Sequence, residues 1–322
     1  MFNFINYIRV IATILITNSH FSNIWPISAM AAGGLLGNIL FFAVSGFCLY
    51  LIKENFLKWF VKRITRIYPA LIIVTLLTVF LGFYRLGSLN DAVRLFVYPT
   101  NYIFIVWLMV CYIPFYLLAV LDKKYNKTLE VSFIVVIALW IITYVFFFDK
   151  SAYTIDDVEK PFIVFLYFTS MIMGALFRKH YSKFTKFKAT NVVFLGLSLI
   201  VYFASKIAFS NGTLISSLQI LNQVVILVAL YFIVAVFISL ESKLEKIPNK
   251  VNNVAKYVGG LTLQIYLVQF VIIRKFSSLV FPLNLVVVVL LILIFASLVY
   301  FAEQFIRKFI LSFNKNKKVK ND

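Results

Sequence analysis

The sequence predicts an all-α, polytopic membrane protein with about ten transmembrane helices and both termini in the cytoplasm. Three observations carry that prediction. Of 322 residues, 62% are hydrophobic and 13% are charged, the latter about half the share of an ordinary soluble domain. The apolar residues fall in runs of about 20, the length that crosses a bilayer as a helix. Lys and Arg gather in every second connection between those runs.

The composition also excludes. A soluble core of this size has no use for so much apolar surface, so a soluble enzyme is ruled out. Disorder and a secreted disulfide scaffold are ruled out with it. The net charge of +19 would suggest nucleic acid in a soluble chain, but basic cytoplasmic loops account for it, so no nucleic-acid partner is expected. Cys48 and Cys111 sit inside apolar runs and act as small hydrophobes. The first residues do not read as a signal peptide: no Lys or Arg precedes Arg9, and Thr17-Asn18-Ser19-His20 ends the apolar stretch.

The ten expected spans lie near 4–24, 36–52, 67–84, 101–121, 129–148, 161–178, 190–209, 214–239, 258–273 and 283–306. The first carries Arg9 and His20, and the eighth is long enough to tilt. With the N-terminus inside, 24 of the 31 Lys and Arg fall in inner segments; the other seven are Arg85, Arg94, Lys150, Lys160, Lys206, Arg274 and Lys275. The outer connection 149–160 holds Asp149, Asp156, Asp157 and Glu159. An odd number of spans would spoil this alternation. Residues 1–322 therefore read as a single transmembrane domain, with 310–322 as a basic cytoplasmic tail. No internal repeat is visible.

Ionisable groups inside a span are costly and mark function by default. Arg9 and His20 are eleven residues apart, which returns a helix to within about 20° and separates them by about 16 Å along its axis. His20 suits proton abstraction near neutral pH. His180, in the basic run Arg178-Lys179-His180, reads as a solvated surface residue. Ser45 and Gly46 within Phe41-Phe42-Ala43-Val44-Ser45-Gly46-Phe47 permit close helix packing. Gly33, Gly34, Gly37 and Asn38 before them suggest a tight helix entry where backbone can approach a ligand. Lys62-Arg63-Ile64-Thr65-Arg66-Ile67-Tyr68-Pro69 places Arg63 and Arg66 as i, i+3 neighbours. Guanidinium forks favour phosphate, although anionic lipid headgroups would also explain the run. The three clusters together describe a phosphate-bearing donor docked at a basic cytoplasmic mouth, its slender arm reaching a reactive end at His20. Coenzyme A has this form.

The same residues resemble the acyltransferase-3 integral-membrane family, which O-acetylates sugars and other hydroxyl acceptors. Arg9 and His20 match its Arg-x10-His signature. Phe41 to Phe47 looks like its Phe-Phe-x-x-Ser-Gly-Phe segment, and Arg63 to Pro69 is similar to its Arg-x-x-Arg-Ile-Tyr-Pro segment. Weaker similarity runs through Trp107 to Tyr116, Gly259 to Gln269 and Glu303. The resemblance implies a transferase of the bacterial cytoplasmic membrane that carries an acetyl group from acetyl-CoA to a polysaccharide hydroxyl. His20 and Arg9 would be catalytic. Arg63, Arg66, Lys62 and Tyr68 would hold the coenzyme. Asn38, Ser45, Gly46 and Gln269 are candidates for substrate or oxyanion contacts. The lipid bilayer and a glycan acceptor are the other expected partners, and no metal is expected. Two departures matter. Asn6 stands where relatives often have an acid, and Tyr266-Leu267-Val268-Gln269 ends in Gln where many end in His. The rival class is a polysaccharide exporter on the same scaffold, with Arg9, Lys206 and Glu303 lining its path.

Overall fold

The computed structural model describes residues 2–151, 153, 157–210 and 217–319. Of the residues used in the charge argument, Asp156 and Lys320 lie outside these. Eleven longer helices run α1 (Asn3–Ser19), α2 (Gly34–Leu49), α3 (Phe56–Phe80), α4 (Ile103–Lys124), α5 (Thr128–Phe147), α6 (Ile163–Lys179), α7 (Ala189–Ser210), α8 (Ile220–Ser239), α9 (Asn249–Gly260), α10 (Thr262–Phe276) and α11 (Leu283–Val319). No strand occurs among the described residues.

Among the described residues, seven helices are long and apolar enough to cross a membrane, and α9 with α10, interrupted at Leu261, makes eight if the pair is one span. This is a multi-pass membrane protein. Each of the ten expected segments contains a helix. Two helices fall outside the membrane-crossing set, α1 and α6, with 17 residues each, about 25 Å of helix against a hydrocarbon core of about 30 Å; α2 reaches a spanning length only together with the stretch that precedes it from Ser28.

Two boundaries differ from expectation because helix formation does not stop where hydropathy does. α3 starts at Phe56, not near 67. Its first turns are amphipathic: Trp59 is buried while Lys58 and Lys62 are exposed. α11 continues to Val319, through most of the stretch expected as a tail. Straight-chain Lys is a good helix former and prolongs a nucleated helix.

The chain forms two compact units. The first comprises Met1–Ser19, Ala32–Phe56 and Trp107–Gly259. In it α2 lies backbone to backbone on α6. A Cβ on Gly46 would stand 1.8 Å from the Met171 carbonyl oxygen, and one on Gly174 would stand 1.8 Å from that of Ala43. Small residues at such a crossing let dispersion and shape do the work that the hydrophobic effect cannot do in lipid. Glu241 caps α1, accepting from the backbone N–H of Asn3 and of Phe4 at 2.7 Å each. Asp122 ties the ends of three helices. It accepts from the Tyr50 hydroxyl at 2.8 Å, the Leu129 N–H at 3.0 Å and Lys179 Nζ at 2.9 Å.

The second unit comprises His20–Ala31, Leu57–Val106 and Gly260–Asp322. Its helices are most of α3, then α10 and α11. Asn284, at the start of α11, donates to the Ile24 carbonyl at 3.0 Å, and Trp25 meets Phe281 with ring centroids 5.8 Å apart. These contacts fix the loop that follows His20. Apolar side chains such as Phe80, Leu89 and Phe305 stay exposed, as surfaces bathed in lipid require.

Candidate functional site

His20 is the first residue after α1, which ends at Ser19. Helical repetition therefore does not set its direction, and the expected common face with Arg9 rests on a helix one residue longer than the one formed. The imidazole is half-buried and meets the Phe270 ring edge-on, with centroids 4.6 Å apart and planes at 62°. Phe270 belongs to an aromatic group on α10 and the turn just before α4. Its ring lies 5.8 Å from Tyr266 and 6.4 Å from Tyr102. Tyr102 is 1% exposed and donates its hydroxyl to the Leu267 carbonyl at 3.2 Å. Polar tips on apolar rings keep such a group ordered within a membrane protein.

Gln269, one residue before Phe270, is completely buried. It has two donors and an acceptor but cannot exchange a proton near neutrality. The backbone geometry of α10 thus sets Phe270 towards His20 while placing Gln269 in the core.

The basic segment lies in the first half of α3. Lys62 and Arg66 are exposed and Arg63 is half-buried, with its guanidinium 5.5 Å from the Trp59 ring centre. Tyr68 donates to the Val97 carbonyl at 3.0 Å, which fixes the turn that carries the arginines. Lys62, Arg63 and Arg66 thus stand within about one helical turn, two of them open to solvent.

The remaining candidates belong to the first unit. Arg9 is half-buried, with Nη2 4.0 Å from Cys48 Sγ, and its own carbonyl accepts from Thr13 Oγ1 at 2.8 Å. Asn38 donates to the Tyr167 hydroxyl at 3.0 Å. Ser45 is half-buried. Gly46 lies against the α6 backbone, so its lack of a side chain serves the helix crossing.

Sequence reasoning missed the aromatic surroundings of His20. Tyr266 and Phe270 are an i, i+4 pair on one helix face, a signal lost among the 36 Phe. His180, expected at the solvated surface, keeps about a third of its side chain exposed, but its pairing was not foreseen: Nε2 lies 2.9 Å from Glu130 Oε1, beside the Lys179–Glu130 pair at 2.9 Å. Two residues assigned to an export path have local partners instead. Lys206 is 4% exposed and sits 4.5 Å from the Tyr202 ring centre, and Glu303 pairs with Arg307 at 2.6 Å. Among the described residues, no three His, Cys, Asp or Glu side chains group as a metal site.

Residues 2–302 match a family described as an acyltransferase domain, acyltransferase-3. No curated protein and no solved structure matches the chain. The match covers nearly the whole sequence, and the chain belongs to the acyltransferase-3 family.

Proposed function

We propose that this acyltransferase-3 chain moves an acetyl group from cytoplasmic acetyl-CoA to a hydroxyl of a bacterial surface or exported polysaccharide, in the cytoplasmic membrane. The observation that carries the reading is the setting of His20. It is a half-buried imidazole held against an aromatic ring, in a chain whose basic turn at Lys62, Arg63 and Arg66 is open to phosphate.

In the proposed reaction His20 is the general base. It takes the proton of the acceptor hydroxyl as the oxygen attacks the thioester carbonyl carbon. A C–O bond forms, the C–S bond breaks, and the coenzyme thiolate leaves and receives a proton. Arg63, Arg66 and Lys62 bind the coenzyme phosphates, with the guanidinium forks supplying paired donors. Tyr68 holds their turn. Arg9 enters through the family signature, and the oxyanion donors are sought among Asn38, Ser45 and backbone amides. The aromatic wall excludes water from the thioester and limits its hydrolysis.

Purified protein in nanodiscs tests this by acetyl-CoA calorimetry and by release of free coenzyme thiol, with and without a polysaccharide acceptor. Wild type is expected to bind the donor and release thiol. Arg63→Ala/Arg66→Ala is expected not to bind. His20→Ala is expected to bind but release no thiol. No saturable binding by wild type at millimolar donor would end the acetyl-CoA reading.

A further inference from the structure

A proline inside a helix removes one backbone donor and leaves the carbonyl four residues earlier without its helical partner. Pro69 lies inside α3, so the carbonyl it deprives is that of Thr65. Arg307 Nη2 lies 3.1 Å from the Thr65 oxygen and 3.2 Å from the Arg66 oxygen. Its guanidinium supplies a donor to the carbonyl that lost one, and bridges the next carbonyl as well.

Arg307 is itself held. Glu303, one turn earlier on α11 and 3% exposed, binds Arg307 Nη2 through Oε1 at 2.6 Å. Its other oxygen accepts from Gln264 Nε2 of α10 at 2.7 Å. The carboxylate is thus loaded on both oxygens by two helices of the same unit. The order of contacts is Gln264, Glu303, Arg307, then the Thr65 and Arg66 carbonyls.

We infer that Arg307, anchored by Glu303, replaces the donor that Pro69 lacks and so positions the α3 turn that carries Arg63 and Arg66. Arg307 is a positioning residue. Its cation also lies along the same turn as the phosphate-binding arginines, so it adds to their field without being needed as a ligand. The link to donor binding rests on the acetyl-CoA reading above; the link between Arg307 and Pro69 does not.

The experiment is a double-mutant cycle on the full chain in nanodiscs: wild type, Arg307→Met, Pro69→Ala and Arg307→Met/Pro69→Ala, with Arg307→Lys as the conservative variant. The Pro69→Ala substitution returns an N–H to the Thr65 carbonyl. Thermal unfolding reads the coupling and donor kinetics read the positioning. Arg307→Met is expected to lower the melting temperature and raise the donor KM about tenfold, with kcat nearly unchanged, the loss of one charge-assisted hydrogen bond. In the Pro69→Ala background the same substitution is expected to do less, the remaining loss being that of Glu303 left without its cation, and Arg307→Lys to retain most of the wild-type KM. Equal losses with and without Pro69→Ala would overturn the inference, as would a fall in kcat at unchanged donor KM. If wild type binds no acetyl-CoA, the donor assignment fails by itself, and the melting-temperature cycle still decides whether Arg307 serves Pro69.

Discussion

Gly46 of α2 and Met171 of α6 meet at backbone distance: a Cβ on Gly46 would stand 1.8 Å from the Met171 carbonyl oxygen. The obstacle is main chain, which cannot rotate aside as a side chain can. The reciprocal contact of Gly174 with Ala43 means that separating the helices at one point opens both.

Gly46→Ala is therefore expected to destabilise the protein by about 3 kcal/mol or more, the upper range for overpacking. Ser45→Ala, at a half-buried neighbour, is expected to stay within about 1 kcal/mol. Thermal unfolding in detergent separates them. If Ser45→Ala loses thiol release at an unchanged melting temperature, Ser45 is an oxyanion donor and Gly46 its packing neighbour. A Gly46→Ala protein as stable as wild type would contradict the helix crossing.

The first turn of α1 carries no acid of its own, and Glu241 supplies one from 237 residues away, on the N–H groups of Asn3 and Phe4. Helix N-termini expose unpaired donors and a positive dipole end. Glu241→Ala is expected to cost about 2 kcal/mol, a charge-assisted cap at a nearly buried position. Glu241→Gln, which keeps one acceptor oxygen, is expected to lose about half of that. Chemical unfolding of the three proteins checks the order, and equal stability of the Ala variant and wild type would show the cap to be idle.

The all-helical, multi-pass architecture was legible because lipid imposes a length and an apolar composition on every crossing segment; each expected segment contains a helix, and among the described residues seven, or eight with the bent pair, are long and apolar enough to cross. Where the reading failed, helices outran their apolar runs. Phe56 to Ile67 is helical although it carries Lys58, Lys62, Arg63 and Arg66, because Trp59 and Ile67 supply a buried stripe. The candidate site was legible as residue types, not as contacts. Arg9, His20 and the Arg63–Arg66 turn stood out as charges in apolar surroundings. Phe270 beside His20, Glu241 on α1 and Arg307 on Thr65 are tertiary contacts between distant segments, and nothing local in one sequence announces them.

Asp122 has no exposed side-chain surface and pairs with Lys179, which is 11% exposed. Removing the carboxylate leaves Tyr50, the Leu129 N–H and part of Lys179 without their acceptor. Asp122→Ala is expected to cost about 3 kcal/mol, the lower range for breaking a buried pair, because Glu130 still holds Lys179. Lys179→Met/Asp122→Leu is expected to recover part of the loss by removing both charges together. Melting temperatures of the single and double variants test this, and a double variant worse than the sum of its parts would count against a pairwise bridge.

The edge-on contact of His20 with Phe270 predicts a kinetic effect separate from donor binding. An aromatic edge-to-face pair is worth about 1 kcal/mol beyond its buried area, enough to bias the imidazole towards one orientation several-fold. Phe270→Leu keeps an apolar side chain there and removes the ring, so kcat for thiol release is expected to fall about fivefold to tenfold while donor KM holds. Phe281→Leu is the control, since Phe281 meets Trp25 of the loop that follows His20; its kcat is expected to change less than about twofold. Stopped assays at saturating donor distinguish the two. Should both variants lose kcat alike, the loop as a whole, rather than the ring against His20, would set the base in place. Should neither lose it, the imidazole takes its direction from the chain at the end of α1, and Phe270 serves only to close the site.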